Sequence, residues 1–128
     1  MQVVLLQLAL GALLLTQAAA GRVETLALPH SLRTGESAWI EVQLGAVPHG
    51  TEIELETASG RLLGVISPFG VRAGNQAGTY TVPLPSDAIS NGRVSVRLLL
   101  KHYQSQRAPT LQEVKSVRVR ISDPPEKH

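Results

Sequence analysis

The stretch Arg93-Val94-Ser95-Val96-Arg97-Leu98-Leu99-Leu100-Lys101-His102-Tyr103 decides the fold class. Val94, Val96, Leu98 and Leu100 recur at every second position, while Arg93, Ser95, Arg97 and Lys101 occupy positions between them. Successive side chains of a strand point to opposite faces, so this period of two predicts a long strand, 93–103, with one buried face. Asn91-Gly92 immediately before it supplies a turn.

The same period recurs outward in both directions. In 37–44, Ala38, Ile40, Val42 and Leu44 share one face and Ser37, Trp39, Glu41 and Gln43 the other. In 51–57, Ile53 and Leu55 face inward and Glu52, Glu54 and Glu56 outward. Strand 114–122 turns Val117, Val119 and Ile121 inward. Shorter strands are expected at 23–28, 61–66 and 79–84. In the last of these Tyr80, Val82 and Leu84 are in phase, and Pro83 on the opposite face marks an edge or a bulge, because proline cannot donate to a ladder. Turns at 45–50, 58–60 and 91–92 separate the strands, with longer irregular stretches at 67–78 and 104–112. Seven strands within about a hundred residues predict an all-β, two-sheet sandwich, with a small closed barrel as the runner-up.

The strand order and the phrases Gly35-Glu36-Ser37, Pro48-His49-Gly50-Thr51, Gly78-Thr79-Tyr80-Thr81-Val82 and Asn91-Gly92-Arg93-Val94 resemble immunoglobulin-like or fibronectin type III-like domains. The resemblance spans most of 21–122 and implies a seven-stranded immunoglobulin-like sandwich. It implies no activity. An inter-sheet cysteine pair and a tyrosine before the sixth strand are both missing, and Trp39 is out of phase with the inward residues of its strand.

Residues 1–20 contain no Asp, Glu, Lys or Arg, and 3–15 are apolar except for Gln7 and Gly11. The segment closes on Gln17-Ala18-Ala19-Ala20, the small-residue ending of a cleaved signal peptide. Its apolar run falls short of the roughly 20 residues that a spanning helix needs. The expected organisation is a signal peptide at 1–20, the sandwich at 21–122 and a short polar tail at 123–128, with no membrane span in the mature chain. The chain has no cysteine, so no disulfide or thiolate ligand is possible, and it has no Asn-x-Ser/Thr sequon. Both absences suit a periplasmic or otherwise secreted protein of a bacterial envelope.

A net charge of +2 and a pI near 9.4 are only mildly basic. With four aromatic residues (one Phe, two Tyr, one Trp) and no basic run, the chain lacks the stacking and charge that nucleic acid demands. The charge is unevenly placed. Residues 21–57 hold two basic and six acidic residues (−4), and 58–128 hold ten basic and four acidic (+6). In an immunoglobulin-like sheet the third, sixth and seventh strands would be neighbours. That would set Glu52, Glu54 and Glu56 beside Arg93, Arg97 and Lys101, and those beside Arg118 and Arg120. Such a ladder is either a solvated salt-bridge face or, centred on Arg118 and Arg120, a site for an anionic partner.

No catalytic grouping emerges. The only aspartates are Asp87 and Asp123, and no nucleophile elbow, phosphate loop or dinucleotide fingerprint is present. The expectation is therefore a protein that is no enzyme and needs no cofactor. Of the four histidines, His30 and His49 flank the second strand, on the order of 25 Å apart at ~3.3 Å per residue. His49 and His102 fall at one end and make an incomplete metal site. Trp39 either caps the sandwich or offers a stacking platform.

The expected function is an exported non-catalytic binding or accessory module that meets another envelope or extracellular protein. The alternatives are a metal-handling protein using His49 and His102, or a carbohydrate-binding module using Trp39 with Tyr80 or Tyr103. The second, fourth and sixth connections gather at one end of such a sandwich, and long loops on a rigid scaffold are where binding residues work. Phe69, Arg72, Tyr103 and Arg107 are the expected contact patch there, since aromatic and arginine side chains dominate binding energies. Intact-mass measurement of protein recovered from the producing cell is expected to give a chain beginning at or beside Gly21; a full-length mass would leave residues 1–20 as an anchor.

Overall fold

The computed structural model describes residues 21–68 and 78–122. Among them are eight strands: β1 (Arg22–Ala27), β2 (Ser37–Leu44), β3 (Thr51–Thr57), β4 (Leu62–Ile66), β5 (Gly78–Leu84), β6 (Arg93–His102), β7 (Ser105–Arg107) and β8 (Val114–Ser122). A single 3₁₀ turn, Ser86–Ala88, precedes β6. Among the described residues no helix is long and apolar enough to cross a membrane. Alternation places β2, β3 and β8 with their observed bounds, and β1, β4, β5 and β6 within one residue of theirs.

Strand β7 was expected to be loop. It is the return arm of a hairpin in which His102 pairs with Ser105, Lys101 with Gln106 and Leu100 with Arg107. The two-residue turn, Tyr103-Gln104, puts Tyr103 at φ 56°. Tight hairpins need positive φ, and the usual signal is Asn or Gly. This turn has neither, so the sequence pattern hid it.

The strands form two antiparallel sheets. One is five-stranded, ordered β1-β6-β3-β4 with β7 also on β6; the other is three-stranded, ordered β5-β2-β8. Pro83 lies in β5, an edge strand, where its missing donor costs no ladder bond. The expected neighbourhood of the third, sixth and last strands holds only for β3 and β6. Strand β8 pairs with β2, setting Arg118 opposite Glu41 and Arg120 opposite Trp39. The cause is that β6 has no vacant side. β3 holds one flank, and β1 followed by β7 holds the other.

The two sheets share one core. Ile40, Val42, Ile53, Leu55, Val96, Leu98 and Val114 have no exposed surface, and Leu44 and Leu100 have almost none. Inward residues of all the longer strands contribute, as the alternation requires. On one side β1 meets β8 through Arg22, whose Nη1 donates to the Val114 carbonyl (2.9 Å) while its Nε and Nη2 hold Glu24. On the other side Gly64 faces Val82. A Cβ at residue 64 would stand 2.6 Å from Val82 Cγ1, so only glycine lets the sheets approach this closely there. Leu98→Ala is expected to cost about 2–5 kcal/mol in urea denaturation. Glu54→Ala on the outer face, which loses only the half-exposed Lys101 partner at 2.7 Å, is expected to cost no more than about 1 kcal/mol.

Candidate functional site

Leu44 pairs with Gly78 and with Val114, and Thr51 with His102, so the connections after β2 and β6 and the start of β5 lie at one end. Of the expected patch, Phe69 and Arg72 lie outside the described residues. Tyr103 is 82% exposed at the hairpin tip, its ring edge-on to His102 with centroids 4.4 Å apart. Arg107 has a different occupation: its two terminal nitrogens donate to the two oxygens of Glu113 at 2.7 and 2.8 Å.

Glu113 is a buried charge, 8% exposed, and the chain around it explains why it is tolerated. Thr110-Leu111-Gln112-Glu113 reads T-x-x-E, the reciprocal capping signature. The Thr110 hydroxyl accepts from the Glu113 amide (3.2 Å), and Glu113 Oε1 accepts from the Thr110 amide (2.9 Å). The Arg107 fork and the Thr110 amide hold the Glu113 carboxyl at a pKa of about 2, against the opposing effect of burial. The same pairing raises Arg107. The loop after β2 is fastened to this turn by the Gly45 amide on the Glu113 carbonyl (2.9 Å). A Cβ on Gly45 would lie 2.1 Å from the Gln112 carbonyl oxygen, so no side chain fits there. The signature was legible in the sequence; the salt bridge was not, because it depends on β7.

Among the described residues, His49 and His102 lie at one end and His30 at the other, as expected. His102 Nε2 sits 2.9 Å from the backbone carbonyl of His49, so the two residues do adjoin, with one ring nitrogen already engaged. No group of three or more metal-ligating side chains occurs among the described residues. At the other end His30 Nδ1 lies 2.8 Å from the Ser31 carbonyl. Tyr80 points inward and packs against the core, and Tyr103 is on the far end of the other sheet, so neither stands beside Trp39.

Trp39 instead organises the outer face of the β5-β2-β8 sheet. It is half-buried, with Pro83 of β5 on one side and Arg120 of β8 on the other. Its indole N–H donates to Ser122 Oγ at 3.1 Å, and that hydroxyl in turn donates to the Ser37 carbonyl, so the ring plane is fixed. One register step along, Glu41 is only 12% exposed and receives both guanidinium groups: Arg118 through Nε at 2.7 Å, Arg120 through Nη1 at 3.4 Å. The Arg118 hydrogen bond dominates in lowering the Glu41 pKa. Both arginines remain about two-thirds exposed. A depression of about 460 Å³ opens beside the ring, lined by Trp39, Thr81, Arg120, Ile121 and Ser122. A second, of about 320 Å³, also borders Trp39 and is lined by Pro83 and Pro85.

The Glu113 carboxyl titrates lower in the folded chain than in the unfolded one. Its contribution, on the order of 2 kcal/mol after allowing for the half-exposed Arg107, is complete above about pH 5 and fades as pH falls towards 2. Glu113→Gln is therefore expected to destabilise most at neutral pH, with its difference from the native chain shrinking in denaturation series taken down to about pH 2.5. A difference that stays constant with pH would show that the carboxylate charge is not what holds the turn. No family model, curated protein or solved structure matches this chain.

Proposed function

We propose that this chain is an exported, non-catalytic binding module whose recognition surface is the outer face of the β5-β2-β8 sheet. One observation carries this: a tryptophan locked by its own hydrogen bond stands beside two exposed guanidinium groups that a single half-hidden carboxylate orients. Such a surface meets a ligand already organised, which lowers the ordering cost of binding. The apolar run and small-residue ending of 1–20 support export. Among the described residues, the resolved shifts are carboxylates pushed down and cations pushed up by their own ion-pair partners, the pattern of salt bridges that order a surface.

The scaffold we propose is an immunoglobulin-like sandwich with its terminal strands exchanged. The pairings β2–β5 and β3–β6 match the central pairs of that architecture, while β1 lies on β6 and β8 on β2. The partner is a macromolecule of the envelope or the extracellular space. The hairpin end is the second candidate surface, on the ground that Tyr103 is held almost fully exposed at positive φ.

The immobilised mature domain, titrated with native envelope or extracellular material, separates the two surfaces. R118Q/R120Q is expected to weaken retention at least tenfold with the melting temperature little changed, while Tyr103→Ala leaves retention intact. The reverse pattern would move the site to the hairpin end.

A further inference from the structure

The ligand class can be narrowed, on the basis of that sheet-face site, from the charge and shape around Trp39. Arg118 neutralises Glu41 through close contacts from both Nε and Nη2. Arg120 is held loosely by comparison, with one nitrogen at 3.4 Å from the same carboxylate. The three charged groups therefore leave one surplus positive charge, and it sits on the residue paired directly across from Trp39. Arginine presents a planar fork of donors that matches a carboxylate in two-point geometry. The adjoining Thr81 and Ser122 hydroxyls can donate as well as accept, which suits a ligand rich in hydroxyl groups.

Among the described residues, Trp39 and Pro83 are the large apolar side chains in register on this face, and the positions around them are hydroxyl, amide or charged. A protein interface of ordinary size buries about 800 Å² on each side around an apolar centre, which this surface does not offer. A sugar ring needs less. One of its faces is a patch of C–H groups that lies flat on an aromatic ring, and its rim is hydroxyl. Trp39 is only half-buried, and both depressions border it, which leaves room for a sugar unit against the indole and for a further unit beside it.

We propose that Trp39, Thr81 and Arg120 form a subsite for a carboxylate-bearing sugar unit of an acidic polysaccharide. The ring stacks on the indole and the carboxylate takes the Arg120 fork, with Arg118 keeping Glu41 occupied. Glu41 holds Arg120 through one nitrogen at 3.4 Å, which sets the guanidinium beside the indole.

Calorimetric titration with oligogalacturonate, and with the same oligomer fully methyl-esterified, tests this on the mature domain. The acidic oligomer is expected to bind and to shift the fluorescence of the lone tryptophan to the blue, with the esterified one at least tenfold weaker. R120Q is expected to lose at least tenfold in affinity for the acidic oligomer; unchanged melting curves exclude misfolding. Equal binding of both oligomers, or of neither, overturns the inference. The broader site is judged separately. If neither oligomer binds but R118Q/R120Q still abolishes retention on native material, the sheet face stands and its ligand is not an acidic sugar. If that retention is also unaffected, both are overturned.

Discussion

The hydrogen-bonding capacity of β6 is filled on both flanks, by β3 along residues 96–102 and by β1 and then β7 on the other side. Much of the architecture depends on that saturation. A last strand following β6 would ordinarily be free to pair with it, but the three residues of β7 occupy the remaining length. The chain then crosses to the second sheet, and β8 completes the ladder on the open side of β2. Placing β8 there carries Arg118 and Arg120 away from the β3–β6 charge ladder and onto Glu41.

The crossing from β7 to β8 needs its own support, because it passes a buried carboxylate beneath the loop after β2. An unpaired charge at the depth of Glu113 would be strongly destabilising. The guanidinium fork of Arg107 and the Thr110 amide compensate for it. Arg107 thus anchors the start of β8, where Val114 enters the core with no exposed surface. The arginine that looks most available on the hairpin is in this way part of the scaffold. The two arginines on β8 keep their exposure while their positions are set by Glu41.

The remaining charges act mainly on neighbours within the chain. Lys101 and Arg97 hold Glu54 and Glu56 across the β3–β6 ladder, and Arg22 ties β1 to β8 while binding Glu24. Ion pairs of this exposure contribute little stability each. Their consequence is geometric: they tie the two sheets along one edge and lie across the outer face of the five-stranded sheet. The three-stranded sheet carries the contrasting surface, where polar groups are ordered around an aromatic ring without being fully consumed.

Strand identity and facing were legible in the sequence because both follow from a period of two. Ala38, Ile40, Val42 and Leu44 had to share a face once β2 was a strand, and Ile53, Leu55, Val96 and Leu98 likewise. Pro83 marked its strand as an edge or a bulge for an equally local reason, the missing N–H, and the sheet order makes it an edge. The T-x-x-E signature at 110–113 is a local signal that the strand reading passed over, because it took 104–112 as an irregular stretch. Pairing was not legible, because period-two patterns state which way a side chain points and leave open which strand lies alongside. The folded chain decided that β7 exists, since a turn without glycine or asparagine gives no local signal and forms only where β6 offers a ladder. It also decided that Arg107 meets Glu113, and that Arg118, Arg120, Glu41 and Trp39, drawn from strands some 80 residues apart, share one face. Contacts at that separation are fixed by which backbone edges remain unpaired once β6 is surrounded, a property of the whole sheet rather than of any segment.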